Sequence, residues 1–400
     1  MSYQKLAALG GEPQYPVLQE LIRPSMPPIK EIQSQLERIH QSTFITNGHY
    51  NREFEEIIRQ ELQVPFALTV SNATIGLMLA LRALADHPRG EVILPSFTFA
   101  STGLSVIWNG LTPVFADIDP ATKNLDPWKV EEKITSNTVA IMPVYIFSNV
   151  PMIEEFDRIG RRYHLPVIYD TAQGLGSRYR DEAAGRFGTM EVFSLAPTKV
   201  ATSVEGCIIT LSDPELARRL EALRNIGKTG EYDYELTGLN ARMTEYQAVV
   251  GMYNFRKLQS YIHYRQDLID YYRSRLVDVP GLGFQQISPN SKSGNNYMVV
   301  FVDESRFGLS RNQVAELFRR ENIQTKRYFY PALHRMPPFQ AYADSYLEVS
   351  EEAAETGLAL PLYNQMETSL AENVCRLWHA IYENRHTLRA QLTQSGEGGS

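Results

Sequence analysis

Between residues 65 and 212, apolar runs of about five residues alternate with stretches of helical periodicity, and few architectures accept that alternation. The runs are Glu91–Pro95, Thr112–Ala116, Ala140–Val144, Pro166–Tyr169, Glu191–Ser194 and Gly206–Thr210, each bounded by turn or polar residues. Several are continuous in Val and Ile rather than alternating, the pattern of strands covered on both faces. Helical patterns such as Thr74–Ala85 and Ile153–Tyr163 lie between many of them. Strand, helix and strand in succession predict a mostly parallel sheet with right-handed crossovers, an α/β layer fold.

The remainder has a different style. Residues 242–275 predict a long helix, with an interruption expected near Gly251. After Pro280-Gly281 come a predicted strand (Tyr297–Val302), a helix (Ser310–Glu321), a strand (Gln324–Tyr328) and a closing helix (Leu370–Tyr382), an α+β cap on the larger domain. Four hundred residues suit such a division. The expected boundary falls near residue 260, giving a large domain over 1–260, a small one over 261–394 and a disordered tail over 395–400. Residues 1–64 carry Pro24, Pro27 and Pro28 ahead of a predicted helix at Ile29–Ile39. This piece is expected to wrap the large domain or a neighbouring subunit.

Composition enters mainly by exclusion. A formal net charge of −7 argues against a nucleic-acid binder, which would show a basic face. Two cysteines, Cys207 and Cys375, make no disulfide framework and point to a reducing compartment. The opening MSYQKLAALGG lacks the apolar core of a signal peptide, and no apolar run approaches the roughly 18 residues of a membrane span. A soluble cytoplasmic protein without membrane or nucleic-acid partners is expected.

Ligands in open α/β sheets bind beyond the carboxyl ends of the strands, so the polar residues there bear the search for chemistry. Val70-Ser71-Asn72-Ala73-Thr74 follows strand-like Phe66–Val70 and opens a helix. Small and hydroxyl residues at a helix N-terminus suit a phosphate, although in isolation plain capping by Ser71 or Asn72 is the better reading. Tyr169-Asp170-Thr171-Ala172-Gln173 puts a carboxylate past the next strand. With no metal-ligand spacing beside it, a metal site is disfavoured. Phe193-Ser194-Leu195-Ala196-Pro197-Thr198-Lys199 adds a hydroxyl and then an amine, which alone would pass for a solvated lysine. The three loops together supply an anion cradle, a carboxylate and an amine at one sheet edge. An amine that can condense with a carbonyl, a carboxylate for a ring nitrogen and a phosphate site are the protein parts that pyridoxal phosphate requires. Gly174-Leu175-Gly176 fails as a dinucleotide fingerprint at its last glycine, and no P-loop or nucleophile elbow is present.

Blocks in order along nearly the whole chain make it resemble the DegT/StrS family of sugar-nucleotide aminotransferases, fold-type I pyridoxal-phosphate enzymes. They are ITNGHYNREFEE (45–56), EVILPSFTFASTG (91–103), TPVFADIDPATKNLDP (112–127), LPVIYDTAQGLGS (165–177), VFSLAPTK (192–199), LARRLEALRNIG (216–227), GLNARMTEYQA (238–248) and RYFYPALHRMP (327–337). The resemblance implies that Lys199 carries the cofactor and, once freed, moves the proton between substrate and cofactor carbons. It implies that Asp170 pairs with the pyridine nitrogen, that Gln173 lies beside the phenolic oxygen and that Phe99 stacks on the ring. Ala73, Thr74 and Ser194 would cradle the phosphate. Asn240 would reach the same phosphate from the partner subunit of a homodimer with shared active sites. Lys326, Arg327, Tyr328 and His334 match the segment near the sugar nucleotide.

The implied function is ping-pong transfer of an amino group from L-glutamate, through pyridoxal 5′-phosphate and its pyridoxamine 5′-phosphate form, to a nucleotide-linked keto sugar. The expected acceptor is C-4 of dTDP-4-keto-6-deoxyglucose, with a C-3 ketone as the alternative. A dehydratase of the same family would carry histidine in place of Lys199. A cofactor-binding regulator without turnover would have no need of Lys199, Asp170 and Gln173 together. This chain also departs from the family pattern. Asn72-Ala73-Thr74 stands where small-Gly-Thr is usual, Tyr145-Ile146-Phe147-Ser148 where His-Leu-Tyr-Gly is common, and Val204-Glu205-Gly206-Cys207 where Gly-Glu-Gly-Gly is usual. Ile226 replaces a common His. Alanine tolerates positive φ poorly, so the turn at Ala73 is expected to stay in ordinary backbone space or carry strain.

Overall fold

The computed structural model describes residues 5–84, 89–343 and 346–394; the tail expected to be disordered, 395–400, lies outside them. A central layer is built from two hydrogen-bonded groups of strands. One runs in the order Phe66–Val70, Cys207–Leu211, Met190–Ser194, Ile168–Asp170, and the other Thr112–Ala116, Glu91–Pro95, Thr138–Ile141. Neighbours pair in parallel except Cys207–Leu211, which is antiparallel to both strands beside it. Parallel bridges at Ile141↔Val167 and Val144↔Asp170 join the groups into one layer. The expected α/β class with a mostly parallel sheet is therefore the one observed.

The strand expected at Ala140–Val144 is observed at Thr138–Ile141 instead. Pro143 has no N–H to give a neighbour, and its carbonyl accepts from Asp170 N at 2.9 Å. That contact moves the chain beyond residue 142 towards the Ile168–Asp170 strand and brings the latter's carboxyl end to Tyr145.

A second, antiparallel sheet of Leu282–Phe284, Met298–Val302 and Gly357–Leu360 belongs to the C-terminal part. Helices Leu258–Leu276, Arg311–Arg320 and Thr368–Glu383 pack with it around Trp378, whose ring meets Phe307 at 5.6 Å and Phe318 at 5.3 Å. Phe255 and Leu258 join the core of the large sheet, whereas Leu268, Ile269 and Tyr272 join that of the small one. We propose the domain boundary between them, near residue 260.

Three expectations are corrected. The long helix breaks at Lys257, between Glu245–Arg256 and Leu258–Leu276, and not at Gly251. Gly251 lies inside the first helix because a Cβ there would meet the Phe54 ring at 2.6 Å; it allows close approach instead of breaking the helix. Gln324–Tyr328 forms no strand, only a bridge of Lys326 to Ala359, after which the chain turns with Tyr330 N donating to Arg327 O at 2.9 Å. Of the N-terminal piece, Ile32, Ile39, Phe54 and Ile58 join the core of the large sheet as expected, but its first part packs elsewhere: Leu6 is buried in the core around Trp378, and the Glu321 carboxylate takes the amides of Ala7 and Gln14, both at 2.8 Å.

Farther along, helix His49–Leu62 starts against Glu245, whose buried carboxylate accepts from the amides of Gly48, Tyr50 and Asn51 at 2.8–3.0 Å. A carboxylate at this helix end satisfies donors that would otherwise be orphaned and complements the dipole. It fixes helix His49–Leu62 to helix Glu245–Arg256, next to the lysine loop.

Candidate active site

The carboxyl ends of Phe66–Val70, Ile168–Asp170 and Met190–Ser194 open on a cavity of 690 Å³. The three loops singled out from the sequence all reach its wall, bringing Ala73, Thr74, Asp170, Gln173, Ser194 and Lys199 together.

The first loop ends in helix Ala73–Leu84, where Asn72 Oδ1 caps the N–H of Ile75 at 3.0 Å. Ala73 is the first helical residue and has no positive φ, so the missing glycine costs nothing there. Thr74 Oγ1 shares a hydrogen bond of 2.7 Å with Ser101 Oγ. The remaining first-turn amides are donors that such a helix end leaves for an anion.

Asp170 closes its strand at 4% exposure. Its Oδ2 accepts from Thr102 Oγ1 at 2.7 Å and its Oδ1 from Ala172 N at 3.1 Å. Burial pushes the carboxyl above its ordinary value, against those two donors and the charge of Lys199, which pull it down. A carboxylate oriented by fixed donors and short of a counter-charge fits a protonated ring nitrogen. Gln173 is held by its Oε1, which accepts from Phe147 N at 2.8 Å. Phe99, just ahead of helix Ala100–Trp108, stays 56% exposed at the mouth, its ring 6.2 Å from that of Phe329 and inclined to it by 61°. An exposed aromatic ring there fits a stacking partner for a cofactor ring. These donors, the carboxylate, the amine and the aromatic face form a set that fits pyridoxal 5′-phosphate.

Lys199 lies in a loop folded onto itself: Ser194 Oγ accepts from Ala196 N at 3.3 Å, and Lys199 N donates to Ala196 O at 3.0 Å. Its Nζ points to Tyr297, 3.5 Å from the phenol oxygen and 5.5 Å from the ring centre. Nothing in the sequence marks Tyr297, which directly precedes the buried strand Met298–Val302 and meets Lys199 only once that strand is folded against the lysine loop.

The candidate substrate residues divide. Lys326 and Tyr328 line the same cavity. Arg327 lines an adjoining one of 320 Å³ that shares Thr98, Phe99, Lys326, Tyr328 and Phe329 with it. Tyr330 lies between the guanidinium groups of Arg311 and Arg327, at 5.0 and 5.3 Å. His334 does not face either cavity; it is 1% exposed, with Nδ1 on Ser96 Oγ at 2.6 Å and Nε2 on Glu351 at 2.9 Å. Its ring is used to fasten the 333–335 turn. Asn240 is exposed and also off this chain's cavity wall, bridged to Asn225.

Beneath the site, Glu191 is buried next to Thr171, accepting from the amides of Gly185 and Phe187 at 2.6 and 2.9 Å and from Thr171 Oγ1 at 2.9 Å. Burial raises its carboxyl to about 7 despite those donors. Between the usual glutamate value and about 7, the folded chain keeps a proton that the unfolded chain has lost, so stability falls as pH rises through that window. The expected loss is about 3 kcal/mol. Urea unfolding of the cofactor-free protein at pH 5 and pH 8 should show the difference, and Glu191→Gln should flatten it. An unchanged slope in the variant would assign the pH dependence elsewhere.

Among the described residues, no group of three or more His, Cys, Asp or Glu could hold a metal ion, and no helix is long and apolar enough to cross a membrane. Cys207 and Cys375 are buried and unpaired.

Residues 28–378 match the model of the DegT/DnrJ/EryC1/StrS aminotransferase family. The dTDP-4-amino-4,6-dideoxy-D-glucose transaminase of Escherichia coli is 31% identical over 89% of this chain and 96% of its own length. The protein of the same name from Shigella dysenteriae is 33% identical over 88% and 96%. Among solved structures, that of DesI in the presence of its TDP-sugar product superposes with a TM-score of 0.91 at 31% identity, covering 96% of this chain and 98% of that one. The chain belongs to the DegT/DnrJ/EryC1/StrS aminotransferase family.

Proposed function

We propose that the chain is a pyridoxal-phosphate-dependent transaminase that moves the amino group of L-glutamate to the C-4 ketone of dTDP-4-keto-6-deoxyglucose, acting as a cytoplasmic homodimer. The observation that carries the cofactor assignment is the convergence of Lys199, Asp170 and the Ala73–Thr74 helix start on one cavity. The names of the Escherichia coli and Shigella relatives support the sugar and the carbon. The cavity next door, with Arg327 on its wall, offers a cation for a nucleotide's phosphates.

When bound, pyridoxal 5′-phosphate supplies an electron-accepting ring and stores the amino group between half-reactions. Asp170 would hold the ring nitrogen protonated, the opposite-charge case that would also lower its own carboxyl again. Ala73, Thr74 and Ser194 would hold the phosphate. Phe99 would pack against the ring, and Gln173, fixed by Phe147 N, would lie near its oxygen. Lys199 Nζ, as a neutral amine, would accept and return the proton that the transfer moves at the amine-bearing carbon.

Glutamate should bleach the visible absorbance of the loaded enzyme, and a panel of 4-keto and 3-keto nucleotide sugars should restore it. Restoration by 3-keto sugars alone would move the reaction to C-3, and no response to glutamate would overturn the transaminase reading. Asn240 is proposed to complete the partner's phosphate site. Mixing inactive Lys199→Ala and Asn240→Ala chains should then return activity in one of the two sites of each mixed dimer; no recovery would count against sharing.

A further inference from the structure

Tyr297 has no part in the mechanism above, yet it is in contact with Lys199. Its Oη lies 3.5 Å from Lys199 Nζ and 3.4 Å from Thr198 Oγ1, on the wall of the same cavity. The segment that carries it is pinned on several sides. Asn296, one residue earlier, accepts from Val200 N at 2.7 Å through Oδ1 and donates its own N–H to Ser148 Oγ at 3.0 Å. Ser148 Oγ donates in turn to the carbonyl of Gln173. The Asn296 carbonyl accepts from Arg265 Nη1 at 3.1 Å, and that buried guanidinium is fastened to Asn364 Oδ1 at 2.7 Å.

The turn that makes this possible is unusual. Phe147 at φ 53° and Ser148 at φ 69° occupy left-handed backbone that side chains of their kind seldom adopt. The turn delivers Phe147 N–H to Gln173 Oε1 and the Ser148 hydroxyl to Asn296. Tyr297 is therefore held against Lys199 by the same serine that grips the cofactor-side loop.

We propose that Tyr297 is a second catalytic group, the proton partner of Lys199, an inference that rests on Lys199 being the reacting amine of the transaminase. Lys199 can act as a base only as the neutral amine. In the transfer, an N–H bond of the Lys199 ammonium breaks and an O–H bond forms on the Tyr297 phenolate, so ammonium and phenolate become amine and phenol. The reverse step returns the proton. Nothing is oxidised or reduced, and no third species takes part.

The surroundings pull the Tyr297 phenol towards ionisation. Burial alone would raise the Tyr297 phenol, but the charge of Lys199 and hydrogen bonds with Thr198, Lys199 and Asn296 outweigh it and bring the phenol below its ordinary value. Arg265, from the long helix, adds a buried positive charge near it. Tyr328, with its ring 5.2 Å away, is pushed up by burial and by Tyr297, and remains a phenol. Lys326, Asp170 and Glu205 complete the charged groups on the shared wall.

Tyr297→Phe keeps the ring and removes the oxygen, so the packing survives. Ultraviolet difference titration of the cofactor-free protein should reveal one tyrosine ionising ahead of the rest. That early step should vanish in Tyr297→Phe and rejoin the bulk in Lys199→Met. In the loaded enzyme, Tyr297→Phe should lower kcat about 100-fold, change KM little and displace the acid limb of the pH profile. An early titration step that survives in Tyr297→Phe, or a variant with wild-type kcat and pH profile, overturns the proposal. If the wild type itself fails to attach pyridoxal phosphate at Lys199, the transaminase reading fails instead, while the titration still reports on the tyrosine.

Discussion

Lys199→Ala should lower amino transfer from glutamate by about 10³-fold or more, because it removes both the covalent anchor and the base. The fold should survive. Lys199 is half-buried, and the hydrogen bond its side chain makes is the 3.5 Å contact with Tyr297, which keeps Thr198 as a second partner. After truncation Tyr297 can keep its proton and its bond to Thr198, so no buried charge is left without a partner. Reduction of the loaded protein with borohydride, followed by unfolding, separates the two effects of the substitution. Wild type should retain the cofactor covalently, and Lys199→Ala should release it. Partial recovery of the variant's rate by a small primary amine in the buffer would identify the lost function as that of an amine base. A variant that transfers amino groups at the wild-type rate would sink the assignment.

How much of this was legible beforehand depends on how local the cause is. Glu91–Pro95, Thr112–Ala116 and Ile153–Tyr163 are observed at their expected bounds because burial on both faces, or one apolar stripe, is written within each segment. The loops bearing Ala73, Asp170 and Lys199 were legible for a similar reason: each follows its strand directly, so finding the strand places the loop. Features that depend on distant partners were not legible. Gly251 reads as a helix breaker until Phe54, from another helix, is seen filling the space a Cβ would need. Gln324–Tyr328 reads as a strand by composition, but its neighbour Gly357–Leu360 pairs along its length with Met298–Val302 and leaves it a single bridge. Tyr297 and His334 are placed by the same logic. The histidine in the family-like segment is consumed by Ser96 and Glu351, while a tyrosine from an unremarkable strand entrance arrives at the Lys199 amine.

Asp170→Asn should separate stability from catalysis in opposite directions. In the cofactor-free protein burial raises this carboxyl, so the folded state binds a proton more tightly than the unfolded chain. By linkage, the ionised group costs stability once pH rises above the ordinary aspartate value, and the cost is at its full value above the folded-state value. Asparagine carries no such charge; its oxygen can accept from the Ala172 amide while its N–H donates to Thr102 Oγ1, whose own proton can turn to Thr98 Oγ1 at 2.9 Å, so at neutral pH the cofactor-free variant should unfold at a higher urea concentration than wild type. The gain should disappear at acid pH, where the wild-type carboxyl is protonated too. Catalysis should move the other way. A neutral amide cannot hold a proton on the ring nitrogen, and transfer should fall about 10²- to 10³-fold with the cofactor still bound through Lys199 and the phosphate cradle. A purely structural aspartate would lose stability on substitution, and one facing solvent would change neither quantity. Higher stability together with lower turnover is the signature of a charge kept buried, at a cost to the fold, for the sake of the ligand it awaits. Equal urea midpoints at neutral pH, or an Asp170→Asn enzyme with wild-type turnover, would remove Asp170 from that role.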